Sequence, residues 1–185
     1  MEIKISTKHI LLVLQVLSWI VFIGLCIDAG GILFNAFFTL FLNPENVKNF
    51  WEGSAYLSAL YQYDRGHFIV IVSIMIIVAI LKAIMFYLII KLFVDKKLKL
   101  SNPFSPGLRK FILIQSCLAL GIGLFSQYGY EYSMWLTKQG LQAPDLQSLH
   151  IAGADVWIFM AIMLFLIVQV VKRGIEIQTE NDLTI

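Results

Sequence analysis

A lysine inside an apolar run is the most chemically suggestive feature of this chain. Lys82 interrupts FIVIVSIMIIVAILKAIMFYLIIK, a stretch without Pro or Gly. Phe68 to Leu81 is too short to cross a hydrocarbon core of ~30 Å, so a spanning helix must carry on through Lys82 to about Ile90, roughly 34 Å at ~1.5 Å per residue. Lys82 would then lie ~13 Å from Lys91 along the axis, more than its stem comfortably snorkels. An ionisable residue at that depth faces the bundle interior or water and marks a candidate functional site. Gln15, Gln115 and Gln169 fall at comparable or shallower depth, and their amide carbonyls are expected to solvate the ammonium. Asp155, one turn inside the fourth span, supplies a countercharge on a transport path but sits some ~15 Å away in depth, too far for direct pairing. The bland alternative is a structural lysine drawing water from the near face.

A second constellation is His67 and His150 with Asp28, Asp64 and Asp155, all near helix ends. Neutral imidazoles with carboxylates are zinc-type ligands. No pair has a recognised ligand spacing, so these histidines are weak metal candidates, capping of helix ends is preferred, and no cofactor is expected. The third is electrostatic. Lys96, Lys97 and Lys99 alternate with leucines, as suits contact with anionic headgroups at about 1 kcal/mol per near-surface lysine. The tail carries Glu176, Glu180 and Asp182, which can meet that basic loop or a cytoplasmic partner, or simply stay solvated and frayed. No HExxH, GxSxG, P-loop or CxxC occurs, and no nucleophile is paired with a base at a readable spacing, so the chain is not expected to be an enzyme.

The elements that must hold these residues follow from hydropathy. The chain has 185 residues, is 59% hydrophobic and only 14% charged, with mean hydropathy +0.80; a soluble domain would be nearer ~25% charged. A net charge of +2 gives no ground for direct nucleic-acid binding. The expected architecture is all-α and integral to the membrane, a single domain over 1–185, forming a four-helix bundle with spans at about 10–27, 68–90, 108–128 and 151–171. Lys4 and Lys8 before an apolar run imitate a signal peptide, but no small-x-small cleavage pattern follows, so the first span is read as retained. Asp28-Ala29-Gly30-Gly31 is expected to stop it. The following ILFNAFFTLFL is too short to span alone, which gives an interfacial or re-entrant segment near 32–42. Asn46 to His67 and Gly129 to His150 are polar but aromatic, as segments at headgroup depth are. Ser105-Pro106 reads as an N-cap with proline at the first helical position. Cys26 and Cys117 lie near opposite ends of their helices, so no disulfide is expected.

Orientation follows from the basic residues. With both termini and the 91–107 loop on one side, that side and its helix ends hold Lys4, Lys8, Lys91, Lys96, Lys97, Lys99, Arg109, Lys110, Lys172 and Arg173, against Lys48, Arg65 and Lys138 on the other. The positive-inside rule makes the former cytoplasmic. Two outward-facing hairpins, a cytoplasmic loop at 91–107 and a cytoplasmic tail at 172–185 result, in a bacterial cytoplasmic membrane.

Two motifs look familiar. The loop LKLSNPF at 98–104 and the closing KRGIEIQTENDLTI at 172–185 resemble a bacterial family of small four-helix membrane proteins catalogued as a domain of unknown function, two-nine-seven-five in that series. Helix number and order fit over nearly the whole chain, with AGGILFNAFF as a departure in the first outer segment. The family has no established activity and no catalytic residues to carry over. Its members are often encoded beside a small helix-turn-helix regulator, so the resemblance implies a regulatory membrane protein that holds or releases a transcription factor. The rival is a small transporter or channel using Lys82, Gln15, Gln115 and Asp155.

Overall fold

The structure, a computed structural model, describes residues 7–50, 54–95 and 104–182. The expectations placed on Lys96, Lys97 and Lys99, on most of the 98–104 motif and on the last three residues lie outside them. The described residues are helical or irregular, with no strand. The helices are α1 (Thr7–Phe37), α2 (Ser54–Tyr63), α3 (Arg65–Val94), α4 (Pro106–Lys138) and α5 (Ala154–Asp182). Four of them, α1 with its continuation, α3, α4 and α5, are long and apolar enough to cross a membrane. α3 packs against both α1 and α4, and α5 lies along α4.

The expected stop at Asp28–Gly31 does not occur. α1 runs on to Phe37 and passes directly into a π-helical turn, Phe38–Leu42, so 32–42 is neither a separate interfacial helix nor re-entrant. Glycine costs about 1 kcal/mol in a helix exposed to water. In apolar surroundings an unwound backbone loses its partners at several kcal/mol per group, so the helix persists. Packing adds to this: Ala29, Ile32, Ala36 and Thr39 form one buried stripe, the i, i+3, i+7 face of a helix against its neighbours. The end of the π turn is secured from outside. Arg65 Nη2 donates to the Leu40 carbonyl at 2.7 Å, and Asn46 Nδ2 donates to Asn35 Oδ1 at 3.2 Å, which folds a short 3-10 helix (Pro44–Asn49) back onto α1.

Capping explains where the other helices begin. Asp64 Oδ1 accepts from the His67 amide at 2.9 Å, so α3 starts at Arg65, ahead of its apolar run. Ser105 Oγ accepts from the Leu108 amide at 3.2 Å with Pro106 next in line, which is the start that the sequence motif dictates. α4 continues beyond Tyr128 because Ser126, Gly129, Ser133 and Leu136 make a buried stripe through its second half.

The irregular element sits elsewhere than expected. Residues 139–153 leave the end of α4 and return alongside it into the bundle, where Leu149 and Ile151 are fully buried. A Cβ on Gly129 would lie 3.0 Å from Ile151 Cδ1 and 3.1 Å from Ile74 Cγ2, so three segments meet closely there and a larger residue would push the two isoleucine methyls aside. Non-helical backbone at such depth is tolerated where protein surrounds it. α5 begins at Ala154 beside Gly123 and then continues without a break through Lys172 and Arg173 to Asp182. The frayed tail is therefore corrected to a helical one. Glu176 supports it by pairing with Arg173 at 3.1 Å and Lys172 at 3.9 Å. Cys26 and Cys117 are both free.

Candidate functional site at Lys82

The side chain of Lys82 turns toward the Arg65 end of α3. Its Nζ donates to the carbonyl of His150 at 3.0 Å and lies 5.7 Å from the ring centroid of Trp157. Helical Cα–Cβ bonds tilt toward the helix N-terminus, so the lysine stem climbs that way and meets the returning 139–153 segment. His150 is the one non-glycine residue with positive φ among the described residues, at 57°. This left-handed conformation, followed by Gly153 at 76°, lets the chain reverse into α5. The His150 amide is held by the Gln147 carbonyl at 2.9 Å.

Asp28 of α1 faces the same returning segment, beside His150, whose carbonyl holds Lys82. Asp28 borders a small, partly open cavity of about 30 Å³ with Ile32, Asn35, Met75, Ser148 and His150. That is room for a water, for which Asp28, Asn35 and Ser148 are the polar groups in a mostly apolar wall. α1 and the returning segment thus bring a carboxylate, an amide and a hydroxyl to a cavity beside His150, the residue whose carbonyl holds Lys82. The arrangement can hold a proton or a water; it has no space for an organic substrate.

The expected glutamine shell does not assemble around Lys82. Gln115 is buried, but its Nε2 donates to the Met85 carbonyl at 3.0 Å and its Oε1 has no hydrogen-bond partner among the described residues. It braces α4 on α3 one turn nearer the Val94 end, the side the lysine points away from. Gln169 is exposed on α5 and Gln15 half-buried on α1. Asp155 is exposed in the first turn of α5, and the carboxylate beside the residue that holds Lys82 is Asp28 instead. A signal for Asp28 was present: it is the one charged residue between Ile10 and Leu42, a lone acid in an apolar run as Lys82 is a lone base.

The two candidate metal histidines meet different neighbours. His67 Nδ1 is 2.6 Å from the Tyr132 hydroxyl, and its ring stacks on Tyr63 and meets Trp135 edge-on, while His150 gives its carbonyl to Lys82. No group of three His, Cys, Asp or Glu side chains gathers among the described residues. Glu176 is engaged within its own helix.

No protein-family model matches this chain, and no curated protein or solved structure is detectably similar to it.

Proposed function

We propose that the chain is a regulatory protein of a bacterial cytoplasmic membrane, with both termini in the cytoplasm and the tail of α5 as its output. The observation that carries this reading is the continuity of α5. One unbroken helix runs from Trp157, which covers Lys82, to the charged stretch ending at Asp182. Its 29 residues measure roughly 43 Å, of which a bilayer core takes ~30 Å. Two to three turns are left over as a projecting helix. A change of water or proton at Lys82, or of contacts at the aromatic rim around His67, would tilt or shift that single rod and move its free end. The basic residues at that end support the orientation, and the resemblance of the tail to the family with helix-turn-helix neighbours supports a transcription factor as the partner.

The experiment is co-purification with a helix-turn-helix regulator encoded beside the gene. Removal of residues 174–185 is expected to abolish it. So is Gln178→Pro, which breaks the helix locally at about 3 kcal/mol and leaves the span intact. Full binding by both variants would remove the tail as the contact. The transporter reading keeps one observation in its favour, that Lys82 and Asp28 both neighbour His150; the small cavity there speaks for protons or water rather than a larger cargo.

A further inference from the structure

A crevice of about 350 Å³ opens where the end of α3 meets the start of α4. Leu88, Leu92, Phe111 and Ile114 form its apolar walls, and Lys91 and Lys110 stand on opposite sides of it, one from each helix. Asp95 and Gly107 also line it. Both lysines are exposed, and neither forms an ion pair with another described residue. This differs from the other basic pair at the same end of the bundle, Lys172 and Arg173, which Glu176 neutralises in part.

We infer that this crevice is a binding site for one anionic phospholipid, with the phosphodiester between Lys91 and Lys110 and an acyl chain along Leu88 and Ile114. Charge and shape both point to a lipid. Two cations above an apolar cleft between helices match a molecule with a charged head and a hydrocarbon body. Lys91 and Lys110 present two ammonium groups to a headgroup, and an anionic lipid such as phosphatidylglycerol supplies the net negative charge that a zwitterionic one lacks. A soluble phosphate would satisfy the lysines but leave the leucine and isoleucine walls uncovered. The position also has a consequence: α3 and α4 are joined by the loop that starts at this crevice, so a bound lipid fixes the spacing of the two helices that carry Lys82 and Gln115.

The test is native mass spectrometry of the full chain, released from mixed micelles of phosphatidylglycerol and phosphatidylcholine. The expected result is one phosphatidylglycerol retained per chain in preference to phosphatidylcholine. Lys91→Gln with Lys110→Gln should reduce that retention by about thirtyfold, the effect of two headgroup-level lysines, while Lys172→Gln with Arg173→Gln leaves it within about twofold. Millimolar inorganic phosphate should not displace the lipid. Equal loss in the two double variants would mean diffuse attraction to the basic end and overturn the site, as would equal retention of phosphatidylcholine or displacement by free phosphate. Thermal unfolding of each variant in phosphatidylcholine alone, expected to match the parent, separates loss of the site from loss of the fold.

Discussion

Gly123→Ala is expected to cost this protein about 2–3 kcal/mol, and Gly123→Leu to leave no folded protein at all. A Cβ at this position would lie 2.6 Å from Ile158 Cγ1, 3.0 Å from the Ile158 amide nitrogen and 3.2 Å from the Ala154 carbonyl oxygen. Two of these three neighbours are backbone, so a rotamer change does not relieve the clash and the whole first turn of α5 has to withdraw. That turn carries Trp157 and follows directly on the segment that holds Lys82. Further along the same interface, Ser116 Oγ donates to the Ala161 carbonyl at 2.8 Å, a bond that a displaced α5 would lose. In lipid, close approach of this kind is what holds helices together, since apolar surface alone gives no preference for a neighbour over an acyl chain. Gly174→Ala is the control. Its Cβ would come within 2.5 Å of the Phe104 ring, a nominally worse contact, but Phe104 is 39% exposed and its ring can swing aside, so the cost should stay below about 1 kcal/mol. The measurement is thermal unfolding in detergent followed by tryptophan fluorescence. Ile158→Ala added to Gly123→Ala should recover only part of the loss, because the backbone contacts remain. Equal destabilisation by the two glycine variants would show that α5 does not depend on the Gly123 approach.

The same contrast between local and tertiary causes explains what the sequence disclosed. The four long apolar helices were legible because bilayer thickness sets a length that composition alone can meet. The start of α4 was legible because a Ser-Pro cap works within four residues. Asp28, Gly30 and Gly31 misled because their helix-breaking tendency is measured against water. In α1 a Cβ at either glycine would meet nothing within 4 Å, so these glycines are not there for close packing, and the helix is kept by the stripe from Ala29 to Thr39. The descent of 139–153 was not legible, since no local pattern distinguishes an aromatic-flanked loop lying on a membrane from one drawn into a bundle. It depends on Gly129 admitting Ile151, a contact between distant parts of the chain. With that segment misplaced, the partner of Lys82 was misplaced as well. Position along α3 was counted in residues without a direction for the side chain, and the tilt of the Cα–Cβ bond sends the lysine away from Gln115 and toward His150. The helical tail was hidden for a related reason: its polar composition suits solvent, and only the Arg173–Glu176 and Lys172–Glu176 pairs show how it continues the span.

Lys82→Glu is expected to be the most damaging single change on α3, at about 3–5 kcal/mol and with loss of accumulation in the membrane, whereas Lys82→Met should alter stability by no more than about 1 kcal/mol. The difference follows from the two terms acting on the site. Methionine removes the donor to the His150 carbonyl, and a buried acceptor left unsatisfied costs about 1–3 kcal/mol. It also removes the cost of holding an ammonium at that depth, about 2.5–3.5 kcal/mol on insertion scales, so the two largely cancel. Glutamate keeps the burial cost, loses the donor and sets a second carboxylate toward Asp28, leaving an uncompensated buried charge. Adding Asp28→Asn should therefore rescue Lys82→Glu in part and change Lys82→Met little, and that inequality is the signature of an electrostatic coupling between α1 and α3. What Lys82→Met does alter is the anchorage of the returning segment. With no ammonium to hold the His150 carbonyl, a cysteine placed at Ser148 should react several-fold faster with a membrane-impermeant maleimide than the same cysteine beside Lys82. A change in labelling accompanied by altered regulator binding would tie Lys82 to the output helix. Proton flux into liposomes that the parent shows and Lys82→Met lacks would assign the lysine to transport. If methionine left labelling, binding and flux all unchanged, Lys82 would be a structural donor to one carbonyl, and the regulatory input would have to enter at the aromatic rim around His67.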